Sequence, residues 1–449
     1  MAQLYPPAGF WIRAGLALAV TVSLPPPPQT ADAQHLFPHP LLASRKKAAA
    51  PERPALRATI QPSFTIAAEP LGFTSPASYY LGMRHSMVSL DFLDEDRLLF
   101  TFRVPGLIHR GGRREESEGE RKARAVLLRL PQGAVEAEAV WTLHDRARYL
   151  YLLDNGEFLV RDQDTLQLGD ASLQLKPYLR FPGALLWVEM DPTAKFLVTV
   201  SSEPPTEASR VGDVPSPASA KASVTGDNEV AAGGGDKVLR ILRRGDSKVM
   251  LVSHVRSVLH LPINGEGYLE LLRGKGMAWT LNFNYFTGGN TLIGSVDSAC
   301  SLLLNFISPG EFLASGCTSS GDPRLVAMGL NGRRLWENNS GGQSVWPLLV
   351  SNANGTRIAR ESLIADHAVN PMAPLDSEDI KGQDVQVLDA ATGKQVLRAA
   401  ASPILDAGGN VAISPSGRRV AILMDGNLQI FELPAPPPLP DLGLNHAGR

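Results

Sequence analysis

The sequence predicts an all-β fold, a seven-bladed β-propeller of four-stranded antiparallel blades closed by a strand from the N-terminal side. Three observations predict it. From about Val88 onward one hairpin pattern recurs seven times: an apolar run, a turn of Asp, Asn, Ser, Pro or Gly, and a second apolar run. In the least interrupted region the turn centres near 265, 309 and 353 are 44 residues apart, within the ~40–45 residues of a propeller blade. A second hairpin follows the first in several units, so each unit has material for four strands.

The first 34 residues follow a separate logic. Arg13 precedes an apolar run from Ala14 to Leu24, then come Pro25 to Pro28 and Ala31-Asp32-Ala33. An apolar run of 11 residues fits the core of a signal peptide and falls short of the ~20 a membrane-spanning helix needs. Cleavage is expected after Ala33, leaving a secreted or periplasmic chain. Residues 34–58, rich in Pro, Ala, Lys and Arg without periodicity, read as a disordered leader.

The propeller is expected over 59–433. Its clearest first hairpins are Leu304 to Cys317, turning at Ser308-Pro-Gly310, and Val411 to Leu423, turning at Ser414-Pro-Ser-Gly417. Pro sets φ early in such a turn and Gly supplies the left-handed position after it. Looser copies turn at Asp94-Glu95, Asp154-Asn-Gly156, Asp191-Pro192, Asn264-Gly265 and Asn352 to Gly355. Second hairpins turn at Asn331-Gly332, between Arg324 and Trp336, and at Thr392-Gly393, between Val385 and Leu397. Two wider gaps have visible causes: a Pro-, Ser-, Ala- and Gly-rich insert at about 202–236, read as disordered, and a loop insert at about 361–383. The last unit supplies three strands before Pro434-Ala-Pro-Pro-Pro438 ends it, and Thr59 to Ala67 is placed to provide the fourth. Residues 434–449 read as a Pro-rich flexible tail. Two smaller β-domains are the structural alternative.

Composition excludes several classes of function. With 43 basic against 45 acidic residues, and a formal net charge of −2, the chain has no overall field to hold nucleic acid. Hydrophobic residues at 44% and a mean hydropathy of −0.05 describe neither a disordered nor a membrane-embedded chain, and no later apolar run is long enough to span a membrane. A monomer is expected.

Candidates for chemistry are few. Cys300 and Cys317 are the only cysteines. With a turn at Ser308-Pro309 they face each other across one hairpin, within reach of a disulfide in an oxidising compartment; two buried free thiols are the other reading. Two thiols without nearby histidine make no zinc site. The histidines lack ligand spacing: His254 and His260 are six apart, with a loop expected between them near Ser257, and read as surface or blade-edge residues. No Gly-x-Ser-x-Gly elbow occurs, since Gly294-Ser295 and Asn339-Ser-Gly-Gly342 fail the pattern. The dense mixed charges from His109 to Arg124 read as a solvated loop. Asp227-Asn-Glu229 and Asp376-Ser-Glu-Asp379 lack the spaced acidic pattern of a calcium loop. Trp141, Trp187, Trp279, Trp336 and Trp346 recur near strand positions, as packing between blades requires, with a sugar- or quinone-stacking platform as the sharper alternative.

Ser308-Pro-Gly310 with Leu313-Ala-Ser-Gly316, and Ser414-Pro-Ser-Gly417, resemble the blade hairpins of WD-repeat and related secreted propellers. Arg324 to Trp336, with Leu335-Trp336 closing the second strand, is similar to blades of pyrroloquinoline-quinone-type propellers. The resemblance covers most of 85–433 and lies at the level of the fold: no blade carries a Gly-His pair with a terminal Trp-Asp. It implies a rigid ring that presents strand-connecting loops to a protein or other envelope or extracellular partner. Its second branch implies a quinoprotein-like oxidoreductase, but no cofactor site accompanies the blade and no cofactor is expected. A structural role in envelope assembly is the third reading.

Overall fold

The computed structural model describes residues 58–74, 87–104, 120–144, 148–204, 236–256, 260–341, 343–369, 379–405 and 408–439. The signal peptide, most of the leader, residues 109–119 of the mixed-charge run and nearly all of the 202–236 insert lie outside the described residues; the end of that run, Arg121 to Arg124, is strand and not loop.

The strands, in chain order, begin with β1 (Phe64–Ala67), followed by a 3-10 turn at Glu69–Leu71. The first blade is β2 (Ser89–Phe92), β3 (Arg97–Arg103), β4 (Arg121–Arg129) and β5 (Ala134–Leu143). The second is β6 (Leu150–Leu152), β7 (Phe158–Asp162), β8 (Thr165–Gly169) and β9 (Lys176–Arg180). The third is β10 (Ala184–Met190), β11 (Phe196–Glu203), β12 (Asp236–Arg243) and β13 (Lys248–Val255). The fourth is β14 (Gly267–Arg273), β15 (Ala278–Tyr285) and β16 (Asn290–Asp297). The fifth is β17 (Leu303–Ser308), β18 (Glu311–Cys317), β19 (Pro323–Gly329) and β20 (Arg334–Asn339). The sixth is β21 (Ser344–Ser351), β22 (Arg357–Ala365), β23 (Ile380–Asp389) and β24 (Gln395–Ala401). The seventh is β25 (Val411–Ile413), β26 (Arg419–Met424) and β27 (Asn427–Glu432), with β1 paired antiparallel to β27.

All seven turns picked out above join the innermost segment of a blade to its second strand. Four of them are capped by the Asp or Asn side chain that opens them, Asp94, Asp191, Asn264 and Asn352. The Asp94 carboxylate accepts the backbone N–H groups of Asp96 (2.9 Å) and Arg97 (2.8 Å), and Asp191 those of Lys195 and Phe196, both at 2.7 Å. Asn264 and Asn352 also reach the next blade: their amides donate to the Pro309 carbonyl (2.7 Å) and the Pro415 carbonyl (2.8 Å).

Seven apolar seams close the ring. Leu90, Phe100 and Phe102 of the first blade pack with Ala421, Leu423 and Ile430 of the seventh, and each later blade shares a cluster with the next. Large aromatics fill these seams. Trp141 of the first blade donates its indole N–H to the Leu173 carbonyl of the second at 3.0 Å. Trp336 of the fifth donates to Ala390 of the sixth, stacked against Gly393 so closely that a Cβ there would lie 2.5 Å from the ring. The N-terminal segment closes the ring by register, Phe64 opposite Ile430 and Ala67 opposite Asn427, and Thr59 adds a backbone bond to Arg398 of the sixth blade.

Four features differ from the sequence reading. The fourth blade's innermost segment is reduced to one bridge, Ile263 to Tyr268. Leu269 donates to the Pro262 carbonyl, but Pro262 has no N–H to return, so the ladder stops there. The insert read as 361–383 is narrower, because β22 runs to Ala365 and β23 starts at Ile380. The tail read as flexible from 434 starts docked: the Pro434 carbonyl accepts from Arg357 at 2.7 Å and Leu439 packs on the seam between the fifth and sixth blades. Finally, Cys300 and Cys317 are joined in the structure, with Cα atoms 5.4 Å apart, but they are not a cross-strand pair. β17 begins only at Leu303, and Leu304 faces Ala314, so the hairpin register is one residue off the expected one.

Candidate functional site

The inner strands of a propeller are covered on both faces by neighbouring blades, so polar side chains there are trapped in the seams and must find partners or change charge. Four such groups stand out on the first and second strands of the blades.

Between the first two blades, Asp91 of β2 accepts the Ser89 hydroxyl at 2.5 Å. Burial pushes its carboxyl up to about 6, against the pull of Ser89 and Arg148. The Tyr149 hydroxyl lies 2.6 Å from Thr101 Oγ1 and donates to the Met87 carbonyl at 2.8 Å; burial raises its pKa. Between the sixth and seventh blades, Glu361 of β22 is fully buried and burial pushes it up to about 8. Gln383 donates to its Oε1 and to the Leu405 carbonyl, and accepts from Leu405 N–H (2.8 Å) and Asn410 Nδ2 (3.0 Å). In the fifth blade Glu311, the first residue of β18, is 2% exposed. Both its carboxyl oxygens lack a partner among the described residues, and burial pushes it up to about 7.

The fourth group joins three blades. His260, in the segment leading into the fourth blade, places Nδ1 2.7 Å from Glu189 Oε2 of β10, while its Nε2 bonds the Leu304 carbonyl of β17. Trp187, two residues before Glu189 on the same strand, sets its ring edge-on to the imidazole at 6.2 Å and donates to Glu189 at 3.3 Å. Burial works against a charge on His260, but the Glu189 carboxylate and the Leu304 carbonyl outweigh it, and its pKa stands above the ordinary value.

The residues singled out in the sequence are distributed differently. Trp141, Trp279 and Trp336 are buried between strands and blades, whereas Trp187 is 37% exposed; the Trp346 side chain lies outside the described residues. His254 is exposed on the rim. His260 is the exception to the surface reading, being largely buried and doubly bonded. His144 pairs with Asp162 at 3.2 Å. Among the described residues neither of these two rings has a hydroxyl or thiol bonded to it, the contact that a nucleophile–base pair of acyl transfer needs. Asp366, His367 and Asp379 come together at the neck of the sixth blade's loop. His367 already bonds Asp366 at 2.5 Å, and the Lys381 ammonium lies 3.6 Å from the same carboxylate, so the charge a cation would meet is taken up. Asp227, Glu229, Asp376 and Glu378 lie outside the described residues.

Asp91, Glu189, Glu311 and Glu361 carried no motif. For Asp91 and Glu189 the available signal was a charged residue with apolar neighbours on both sides inside a strand, Leu90-Asp91-Phe92 and Val188-Glu189-Met190; Glu311, after Gly310, and Glu361, between Arg360 and Ser362, lack it.

The closed ring of seven antiparallel sheets defines the class: the chain is a β-propeller. No family model matches the sequence, and no curated protein matches it. Among solved structures it is similar to the uncomplexed acylaminoacyl peptidase of Pyrococcus horikoshii, with 10% identity and a TM-score of 0.45 over 78% of this chain and 51% of that one. It is also similar to the β-propeller domain of the Trilobed protease from Pyrococcus furiosus, with 10% identity and a TM-score of 0.42 over 80% of this chain and 94% of that one. The chain thus spans about half the length of the peptidase.

Proposed function

We propose that this chain is an exported binding platform, a rigid propeller that holds a protein or other envelope or extracellular partner on its outer surface. The observation that carries the reading is where apolar side chains reach solvent. Most of them lie on the third and fourth blades, among them Val249, Met250 and Val252 of β13, Tyr285 of β15 and Leu292 of β16, of which Val252 is 56% and Leu292 66% exposed; Val135 and Val140 of β5 are exposed on the first blade. β13 and β16 are also the outermost strands of their sheets, with bare backbone edges. Exposed apolar residues beside an open edge are costly in a solitary protein and useful in one that has a partner.

Export rests on the Arg13, Ala14–Leu24 and Ala33 arrangement and places Gln34 at the mature N-terminus. The test combines N-terminal sequencing of the processed protein with affinity capture from the envelope and extracellular fractions, using the native chain and a Val252→Lys, Leu292→Lys double variant. The native chain retains a defined partner and the variant loses at least about 90% of it, with an unchanged β-sheet circular dichroism spectrum. Identical capture by both chains, an unprocessed N-terminus, or a quinone-type absorbance with alcohol or sugar oxidation would overturn the proposal.

A further inference from the structure

Every other blade fastens its innermost strand by a backbone ladder, but Pro262 denies the fourth blade that ladder after a single bridge. Besides that bridge, the burial of Ile263 and the Asn264 amide's bond to the Pro309 carbonyl, the segment is tied at its start by the His260 side chain. His260 reaches Glu189 of the third blade and the Leu304 carbonyl of the fifth, spanning the blade whose own inner strand is missing. From these contacts we infer that His260 is a proton-operated latch: as an imidazolium it pins the inner segment of the fourth blade to both neighbours, and on losing its proton it lets go of one of them.

The inference stands on hydrogen-bond chemistry. Both ring nitrogens face oxygens that can only accept, a carboxylate and a backbone carbonyl. An imidazolium has two N–H donors and satisfies both; a neutral imidazole has one donor and one lone pair, and the lone pair would face an oxygen. Either tautomer therefore breaks a contact. The groups around the ring reinforce this. From β10 come the Glu189 carboxylate and the Trp187 ring. From β17 comes only the Leu304 carbonyl. β14 carries Tyr268 and Glu270, but Glu270 takes the Asn284 amide at 3.2 Å and acts on Tyr268. No described cation competes for Glu189. Releasing the segment would free the inner edge of β14 and make the fourth blade the least stable unit of the ring.

Hydrogen exchange followed by mass spectrometry on the full chain, over pH 5–9 and corrected for intrinsic exchange, tests the latch. Peptides covering residues 260–273 should lose about ten- to a hundredfold in protection, the range expected for one charge-assisted bond, as His260 titrates, while peptides from β18 and β19 hold theirs. His260→Gln, which like the neutral ring has a single donor group and cannot carry charge, should show the weak protection at every pH. Glu189→Gln should move the transition to lower pH, because the carboxylate that favours the charged ring is gone. Protection of 260–273 that does not change with pH in the native chain, or a transition unmoved by Glu189→Gln, would overturn the latch.

Discussion

Glu361 offers the sharpest test of how this ring is held together. It sits in β22 facing the seventh blade, next to Gly408, where a Cβ would come within 2.7 Å of its Oε2. The Gly409 backbone N–H and the Gln383 amide only partly counter the cost of burial, and its pKa rises from the ordinary 4.5 to about 8. At neutral pH the carboxyl is protonated. A folded-state pKa above the unfolded one means that stability is fully present below pH 4.5 and is lost as pH climbs through about 8. At 1.36 kcal/mol per pH unit, the whole loss is about 5 kcal/mol, a large share of the ~5–15 kcal/mol by which domains are stable.

Glu361→Gln removes the titration. The amide oxygen can still accept from Gln383, while its NH2 takes the place of Oε2, which has no partner among the described residues; that costs about 1–3 kcal/mol at every pH. Denaturant midpoints measured from pH 5 to 9 should therefore cross. The variant is the weaker protein at pH 5 and the stronger at pH 9. A smaller slope persists in the variant at lower pH, from Glu311 at about 7 and Asp91 at about 6. Parallel curves for the two chains would refute the reasoning, because they would mean that Glu361 is ionised in the folded protein.

Two further outcomes follow from the packing. Replacing Cys300 and Cys317 by Ser opens a cross-link with a sequence separation of 17 and should cost about 3 kcal/mol; thiol titration of the denatured native protein without reductant should find no free thiol. Gly393→Ala puts a side chain at φ +67° and 2.5 Å from the Trp336 ring; a loss of at least about 1–3 kcal/mol, read as a lower thermal midpoint, is expected, and an unchanged midpoint would deny the tight contact between the fifth and sixth blades.

Turn chemistry is local, and the turns were legible for that reason. Asp94, Asp191, Asn264 and Asn352 cap their own loops within a few residues, so the pattern needs no knowledge of the ring. The closing strand was legible too, since the last unit ran short by one strand. What escaped depends on contacts between blades. Glu361 and Ser362 read as the start of the loop insert at about 361–383. In the ring β22 is buried on both faces, so these residues turn alternately into the two seams. Arg360 bonds Ser340 of the fifth blade, while Glu361 meets the loop before the seventh. The cysteine register slipped because the turn centres on Pro309-Gly310, with Ser308 opposite Glu311, one residue later than expected; the bulge between Phe306 and Ser308 takes back half of that shift, and neither has a signature in spacing alone. His260 combines both failures. Pro262 marks the sequence as a poor strand, yet nothing nearby in the chain reveals that Glu189 and Leu304 lie on either side of its ring. The same proline that weakens the fourth blade's ladder leaves its inner segment leaning on a titratable ring whose pKa the Glu189 carboxylate raises, so under the latch proposed above the irregular blade is where the ring responds to pH.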